Sequence, residues 1–484
     1  MWLDVVVALA VGAPALGAAL VGAMALGAER PRERAVVRVA TTTLTLSLVC
    51  VLVGWCRWLA AGLEPVDVAL GHWFRAGDYG FELAFLVDGA SAPFALLASV
   101  LLLATCRFSA KYLHREAGFA RFFVLTLVFG AGVQLLALAG SLDLLFAGWE
   151  LVGVTSVLLV AFFHERRGPV RAAVRVLVTY RLCDVGLLFA SVLIHQTHHT
   201  TVFEALRSAA SAHPAQVAAP ATAVGLALLL ASMGKSAQLP VGDWLPRAME
   251  GPTASSAVFY GGLSVHAGVF LLVRTAPLYR DSAVACGAII LIGAVTAVIA
   301  TLSGQVSPDA KSSLAYATIA QVSLMFVECG LGLTRLAIVH LSAHAILRYY
   351  QFLRTPSVLQ DALARRSALG ATIADESAAR WEVLGVGVRR FLYRLAIERF
   401  EVEASMTRWI AGPLLALGAR LDRWESAAMG GTRPKGDAPP PGEPPSGWSG
   451  PAITDAPRCA AEPGHEGAFA PTPAQPAAVG GAAR

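Results

Sequence analysis

The chain has 484 residues, of which 56% are apolar and only 15% are charged, and its mean hydropathy is +0.60. Water-soluble domains carry about 25% charged residues, so this composition excludes most soluble proteins and predicts a membrane-embedded chain. The formal net charge of +5 is small for this length, which argues against a nucleic-acid-binding groove. The seven cysteines form no C-x-x-C pair and are interpreted as small hydrophobic residues rather than as a disulfide framework or a zinc site.

Eleven segments are long and apolar enough to cross a bilayer, which takes about 20 residues. They lie at residues 2–27, 37–60, 86–107, 121–140, 143–163, 172–195, 219–239, 253–273, 283–303, 313–330 and 334–353. They predict an all-α, polytopic transmembrane helical bundle over residues 1–355. The first segment is too long for a signal peptide and has no basic residue before it, so we interpret it as a retained anchor.

Basic residues are unevenly distributed between alternate loops. One set of loops holds 14 lysines and arginines. The other set holds six, which are Arg57, Arg75, Arg207, Arg274, Arg280 and Arg335. Because cytoplasmic loops are enriched in lysine and arginine, the N-terminus is predicted outside the cell and the C-terminus in the cytoplasm.

The C-terminal quarter has a different composition. Residues 356–429 mix aromatic and leucine residues with many arginines and glutamates, which predicts amphipathic helices at the bilayer surface or against a partner. Residues 430–484 hold 12 of the 26 prolines, and this Pro/Gly/Ala-rich tail is predicted to be disordered.

Ionisable residues within predicted spans mark candidate functional sites, because a charge in the bilayer costs a few kcal/mol or more. Glu150 is flanked on both sides by apolar or small residues and needs a buried partner. Arg181 and Asp184 are three residues apart and therefore share one helical face. They form either a structural ion pair or part of a proton path.

Lys235 lies near the end of a predicted span. It is followed by Pro240, which kinks or breaks a helix because it lacks a backbone N–H. Freed carbonyls and a lysine together can bind water and protons inside a membrane. We predict that Lys235 exchanges a proton; the alternative is a lysine that extends its ammonium towards the membrane surface.

His340, His344 and Arg348 are spaced at i, i+4 and i+8 and share one stripe of a helix. Histidine is the side chain most readily tuned to transfer protons near neutral pH, so the pair predicts a proton relay. One alternative is a purely structural hydrogen-bonding role. Another is a zinc site, which suits histidines at i and i+4 but would need a third ligand from another span.

Three further ionisable residues are isolated in the sequence. His266 and Glu328 each suit a satisfied polar residue, and Lys311 follows the loop sequence SPDA directly before a span. Phosphate-binding glycine motifs and cysteine spacings for iron–sulfur clusters are absent from the sequence. We therefore expect neither a cofactor nor a bound metal.

Four stretches together resemble a known family. They are FAGWELVGVTSVLLVAFFHERRGPVRAAVRVLVTYRLCDVGLL, GKSAQLPVGDWLPRAMEGPTASSAV, DAKSSLAYATIAQVSLMF and HLSAHAILRYYQFL. In order and spacing they resemble the antiporter-like proton-conducting subunits, which include the L subunit of respiratory complex I, the large Mrp antiporter subunit and the DabB subunit of an inorganic carbon pump. The resemblance covers roughly residues 85–353 and implies a shortened antiporter-like fold with broken helices.

The resemblance implies roles for individual residues. Glu150 corresponds to the family's buried glutamate, Lys235 to the broken-helix lysine that pairs with it, and Asp184 to the acidic residue of the R-x-x-D motif. His340 and His344 correspond to histidines of the central polar axis, along which the charge change at the lysine propagates. The predicted proton pathway is completed by Arg181, Arg348, His266 and Lys311.

The sequence departs from the family at three points. Tyr260 stands where complex I members usually carry a histidine, and a histidine follows six residues later as His266. Arg348 stands in place of the central lysine and cannot release its proton at any accessible pH. The spans end near residue 355, whereas the complex I subunit continues with a second broken helix.

The short architecture most resembles the DabB-type subunits, which work with a large soluble zinc protein, the DabA-like partner. The implied function is a proton-conducting subunit of an energy-coupled CO2/bicarbonate transporter in the bacterial inner membrane. One alternative is a proton-pumping L-type subunit of NADH-quinone oxidoreductase, or of a related hydrogenase, with other complex I subunits as partners. Another is a scaffold that kept the fold and lost conduction. No catalytic site is expected in the chain itself.

Overall fold

The computed structural model describes residues 2–27, 31–77, 79–212, 220–307, 309–355, 386–398, 400, 408 and 412–428. The chain divides into two compact units, Met1–Ala411 and Gly412–Arg484. The predicted tail at 430–484 lies outside the described residues, as does the whole segment 356–385.

Long apolar helices form the first half of the chain. Helices α1 (Trp2–Gly27) and α2 (Glu33–Ala60) are followed by α3 (Ser91–Tyr112), α4 (Phe119–Leu138), α5 (Leu142–Val160) and α6 (Arg167–His198). A short helix, α7 (Phe203–Ala212), follows α6.

A β-hairpin, which the sequence analysis missed, connects α2 to α3. Strands β1 (Val66–Ala76) and β2 (Tyr79–Val87) pair in antiparallel register, with Val66 opposite Val87. The predicted span at 86–107 therefore begins too early, because its first residues belong to β2 and the helix starts at Ser91.

Two of the predicted spans are interrupted. Helix α8 (Ala221–Lys235) ends five residues before Pro240, and a short helix, Trp244–Arg247, follows it. The span Thr253–Tyr279 begins with one α-helical turn and continues as a π-helical segment, Ser256–Gly262, and a 3-10 turn, Ser264–His266. Only then does α9 (Ala267–Tyr279) begin. The predicted broken helices are thus confirmed, and a second break lies at the π-helical segment, a feature that often marks functional sites.

Five more helices complete the described structure. They are α10 (Ala283–Gln305), α11 (Ala310–Gly330), α12 (Thr334–Arg354), α13 (Val386–Ile397) and α14 (Gly412–Ala428). Each of the eleven predicted spans overlaps helical structure. Among the described residues, nine helices are long and apolar enough to cross a membrane; α8 is too short, and α12 is not one of the nine.

Small residues let α6 and α8 approach each other closely. A side chain at Gly186 would collide with the carbonyl of Ala227, and one at Gly234 would collide with Cys183. This contact places Asp184 on α6 beside the end of α8, where Lys235 lies.

Arg274 was assigned to a loop from the sequence, and this was wrong. It lies within α9, and its guanidinium binds both carboxylate oxygens of Asp88, at 2.6 and 3.2 Å. Burial alone would raise the pKa of Asp88, but Arg274 and the backbone N–H groups of Ala90 and Ser91 outweigh burial and lower that pKa below its ordinary value. The basic-residue asymmetry between the two sets of loops is therefore slightly larger than the sequence count indicates.

Candidate proton-transfer site

Lys235 is the last residue of α8, and its side chain is fully buried. Its Nζ atom lies 4.2 Å from the ring centre of Tyr180 and 5.1 Å from that of Trp149. Nζ has no hydrogen-bond partner among the residues that the structure describes. Cation–π contacts attract a charged ammonium, but they do not replace the hydrogen bonds that a buried charge requires.

An acidic and basic network lies beside this lysine. Arg181 on α6 forms ion pairs with Glu150 on α5 and, at 2.9 Å, with Asp184. Asp184 is buried and also accepts a hydrogen bond of 2.5 Å from the indole of Trp149. Arg181 thus links two carboxylates that lie on different helices.

The structure corrects the expected pairing of Glu150 with Lys235. The ion-pair partner of Glu150 is Arg181, because this guanidinium reaches from α6 across to α5. Lys235 is instead held against aromatic rings. The position of the Lys235 side chain also depends on Gly153, because an added side-chain carbon there would collide with Nζ. Sequence reasoning missed Gly153, although it lies one helical turn after Glu150.

The backbone carbonyls before the helix break at Lys235 accept hydrogen bonds from within the chain. The carbonyls of Ser232, Met233 and Gly234 accept hydrogen bonds of 3.0 Å from Ser236 N, Gln238 N and Trp244 Nε1, respectively. The sequence analysis expected freed carbonyls that would bind water, and for these three carbonyls that was wrong. Unpaired carbonyls at a helix end are normally satisfied by nearby donors, and Trp244, the first residue of the short helix Trp244–Arg247, supplies one of them.

Lys311 lies in a helix, although its position after the sequence SPDA suggested a loop. It lies in the first turn of α11, and its Nζ donates a hydrogen bond of 3.1 Å to Thr253 Oγ1, at the start of the second broken span.

A second polar cluster lies between the broken span and α12. His266 and His344 are both buried, and His266 Nε2 lies 2.9 Å from His344 Nδ1. Arg348 Nε donates to His344 Nε2 at 3.1 Å, and Arg348 Nη1 donates to Gln351 at 2.8 Å. His266, His344 and Arg348 of the predicted pathway are therefore connected by hydrogen bonds.

The hydrogen bonds define the protonation pattern of this histidine pair. An arginine can only donate, so His344 Nε2 must accept. In a neutral His344 the proton then lies on Nδ1 and is donated to His266 Nε2. His266 in turn carries its own proton on Nδ1.

His340 belongs to a third group together with Glu328, which the sequence analysis treated as isolated. His340 Nδ1 lies 2.8 Å from Glu328 Oε1, and Nε2 lies 3.2 Å from Gln321 Oε1. Both ring nitrogens of His340 therefore lie within hydrogen-bond distance of a side-chain oxygen. The rings of His340 and His344 have centres 6.2 Å apart, so the two groups are neighbours on α12.

Serines and a tyrosine connect α5 to the second broken span. Ser156 Oγ donates to Ser264 Oγ at 3.3 Å, and the hydroxyl of Tyr260 donates to the Ser156 carbonyl at 3.4 Å. Tyr260 thus occupies a polar contact at the position where the resemblance expects a histidine. Within the described ranges, no group of three or more histidine, cysteine or acidic residues could hold a metal ion, so the zinc alternative for His340 and His344 finds no third ligand there.

Two family models match this chain. One, described as NADH:quinone oxidoreductase/Mrp antiporter, TM, matches residues 139–369, which include every candidate from Glu150 to Arg348. The other, described as NADH-Ubiquinone oxidoreductase (complex I), chain 5 N-terminus, matches residues 73–123. The chain belongs to the antiporter-like family of membrane subunits.

Two relatives of this chain carry names that point to different complexes. The NADH-quinone oxidoreductase subunit L of Escherichia coli K12 is 33% identical over 344 residues, which cover 70% of this chain and 56% of the relative. The probable inorganic carbon transporter subunit DabB1 of Halothiobacillus neapolitanus is 35% identical over 279 residues, which cover 57% of this chain and 50% of the relative. The chain thus spans about half the length of the curated relatives that it matches.

Two solved structures of membrane complexes contain a chain with a similar fold. The Mrp complex from Dietzia sp. DQ12-45-1b matches with a TM-score of 0.62 and 27% identity, over 73% of this chain and 37% of the other. An archaeal membrane-bound sulfane sulfur reductase matches with a TM-score of 0.60 at 20% identity, over 72% of this chain and 70% of the other, and this similarity concerns the fold alone.

Proposed function

We propose that this chain conducts protons across the bacterial inner membrane, with Lys235 as the group that gains and loses the proton. The observation that carries this proposal is the full burial of Lys235 without a hydrogen-bond partner among the described residues. A buried ammonium is stable only when nearby charge compensates for its lost hydration. The protonation of Lys235 therefore depends on the charges around it.

Arg181 is the group that can change those charges. It bridges Glu150 and Asp184, so moving it towards one carboxylate leaves the other less compensated. An uncompensated carboxylate beside Lys235 favours the charged ammonium, and a compensated one disfavours it. We propose that movement of Arg181 and protonation of Lys235 alternate during transport, with Glu150 and Asp184 as the two positions of the switch.

The polar residues beyond Lys235 extend the path. Ser236 Oγ donates to the carbonyl of Val265 at 2.8 Å, next to His266. From there the path continues through His344 to the group of His340 and Glu328. Lys311, at the start of α11, is proposed to act on this path electrostatically.

Reconstitution in liposomes tests this proposal. With an imposed pH gradient and a pH-sensitive dye inside the vesicles, Lys235→Ala should reduce proton flux on the order of 100-fold. Lys111→Ala is a matched control, because Lys111 is exposed at the end of α3 and should retain wild-type flux. Wild-type flux in a folded Lys235→Ala protein would contradict the proposal.

We further propose that proton flux is coupled to uptake of inorganic carbon, with a large soluble zinc-binding protein as the cytoplasmic partner. The similarity to a probable inorganic carbon transporter subunit supports this. The similarity to NADH-quinone oxidoreductase subunit L supports a second candidate equally, a pumping subunit of a respiratory complex.

Purification from native membranes in mild detergent separates the two candidates. A single large zinc-binding protein that co-purifies with the chain would support carbon uptake. A set of quinone-binding and iron–sulfur subunits would support the respiratory candidate and contradict the first.

A further inference from the structure

A cavity of about 270 Å³ lies at the hairpin end of the bundle, away from Lys235. Its walls carry three histidines, one carboxylate, one guanidinium and two threonines, one of which is Thr200. We refer to the other six of these residues together as the hairpin mouth. They are His72, Arg75, Glu82, His195, His199 and Thr201. The proposed path through Lys235 uses none of them.

Backbone hydrogen bonds build this cavity from three separate parts of the chain. Gly140 N donates to Ala84 O in β2 at 2.7 Å, and Leu142 N donates to Thr201 O at 3.0 Å. His199 adopts a left-handed conformation, with a φ of 56°, which ends α6 and turns the chain back towards the start of α5. The hairpin, the start of α5 and the end of α6 are thus joined at one place.

Thr201 connects the hairpin mouth to a carboxylate behind it. Thr201 lines the cavity, and its hydroxyl donates a hydrogen bond of 2.6 Å to Asp143 Oδ2. The other oxygen, Oδ1, accepts a hydrogen bond of 2.5 Å from Ser191. Thr201 therefore joins a wall of the cavity to the carboxylate of Asp143.

The two residues hydrogen-bonded behind Thr201, Asp143 and Ser191, lie on the same helices as two residues of the candidate site. Asp143 and Glu150 are seven residues apart on α5, and Ser191 and Asp184 are seven residues apart on α6. Seven residues correspond to two turns, so each pair lies on one stripe of its helix, separated by about 10 Å. Neither helix has an ionisable residue between the two members of its pair, so a proton crossing this step requires water.

We propose that the hairpin mouth is the site where protons enter this chain from the bulk water at the hairpin end, and that Asp143 is their first internal acceptor. This inference rests on the proposed proton conduction. The arginine distribution predicts that the hairpin lies outside the cell, so the mouth would take up protons that move inwards down the proton-motive force.

The transfer through Thr201 is balanced. The threonine O–H bond breaks as its proton moves to Asp143 Oδ2, and a new O–H bond forms with a proton from a hydronium ion or a doubly protonated histidine in the cavity, which is left as water or as a neutral histidine. The threonine is unchanged, and one proton has moved from the cavity to the carboxylate. The histidines suit the first capture of the proton, because a neutral imidazole has one nitrogen that can accept a proton and one that can donate a proton.

Proton flux in liposomes tests this site. Asp143→Asn removes the acceptor, and Thr201→Val removes the hydroxyl while keeping a similar shape. Both variants should reduce flux on the order of tenfold or more, and Thr201→Ser should restore it. Thr197→Val is the matched control, because Thr197 is exposed near the end of α6 and bonds only the carbonyls of its own helix.

A second pair of variants tests the histidines. His195→Gln should slow flux, whereas His198→Gln should not, since His198 lies on the same turn but does not line the cavity. If Asp143→Asn does not fold, the comparison of Thr201→Val with Thr201→Ser still decides the question.

The outcomes separate this inference from the proposed function. Wild-type flux in Thr201→Val, together with the loss of flux in Lys235→Ala, would overturn the hairpin mouth and leave proton conduction intact. Wild-type flux in Lys235→Ala would overturn conduction through Lys235, and the inference would fail with it. Loss of flux in Lys235→Ala and Thr201→Val, with normal flux in Thr197→Val, would support both.

Discussion

Arg348 Nε donates a hydrogen bond of 3.1 Å to Nε2 of His344, and this single contact determines how the buried histidine pair can act. His344 Nε2 is occupied as an acceptor, so a proton can bind there only after Arg348 moves away. Arg348 also holds Gln351, which fixes the guanidinium in place. The structure therefore shows the histidine pair in a closed arrangement.

Replacing Arg348 by lysine should open this arrangement. A lysine has no planar group that can bind His344 and Gln351 at once, and unlike arginine it can release its proton. We expect Arg348→Lys to raise the proton flux in liposomes by about tenfold.

Arg354→Lys is the control for this prediction. Arg354 lies at the end of the same helix, is exposed and donates to the hydroxyl of Tyr350. The Arg354→Lys substitution should leave proton flux unchanged. Lower flux in Arg348→Lys than in the wild type would show that the arginine supports the path instead of closing it.

Gly153 should be sensitive to the smallest substitution. An alanine there would displace the Nζ atom of Lys235 from its position over the rings of Tyr180 and Trp149. We expect Gly153→Ala to reduce proton flux by about tenfold while the protein remains folded, as measured by dye-detected flux and by thermal unfolding in detergent.

Gly287→Ala provides the comparison. A side chain at Gly287 in α10 would meet no atom within 4 Å. There, alanine should stabilise the helix by about 0.5–1 kcal/mol and leave flux unchanged. Equal flux in Gly153→Ala and Gly287→Ala would mean that the position of Lys235 is not critical.

The sequence predicted helix positions well because long apolar runs have few other solutions in a membrane. It missed the hairpin because β2 ends in an apolar run that only three residues, Asp88 to Ala90, separate from the apolar helix α3. Pro240 indicated a break, but the helix ends earlier, at Lys235. The chain turns there through Ala237, whose φ is 52°, and no residue pattern in the sequence marks that turn.

Residues of the site were easier to find than their partners. Glu150, Lys235 and the histidines stand out as charges or polar groups among apolar residues. The pairing of Glu150 with Arg181 depends on how two helices pack, which spacing alone does not give. Glu328 meets His340 because α11 and α12 are joined by a short turn. The two residues are 12 positions apart, and the glycines at 330 and 332 between them could have indicated this turn.

The buried pair of Asp88 and Arg274 should contribute strongly to stability. The side chain of Arg274 is only 4% exposed, so Asp88→Asn would leave a buried guanidinium without its counter-charge. We expect a loss of about 3 kcal/mol, measured as a lower unfolding temperature in detergent. Asp281→Asn, in an exposed pair with Arg280 at 3.9 Å, should change stability by less than about 1 kcal/mol.

The same pair predicts a pH dependence. The pKa of Asp88 is lower in the folded protein than its ordinary value of 3.8. Its contribution is therefore fully present above that ordinary value and is lost as the pH falls through the lower, folded-state pKa. The difference in stability between wild type and Asp88→Asn should shrink in strongly acidic buffer; a constant difference would contradict this reading of the pair.

Glu328 provides the last test, because its substitution separates a proton-conducting role of the pair His340 and Glu328 from a structural role. Glu328→Gln keeps the size of the side chain and its ability to bond to His340, but it removes the negative charge. If His340 carries protons beside this carboxylate, flux should fall by about tenfold or more, with little change in unfolding temperature. Glu116→Gln, at an exposed position between α3 and α4, should be neutral. A loss of stability with normal flux would instead assign Glu328 and His340 a structural hydrogen bond, and the proton path would end at His344.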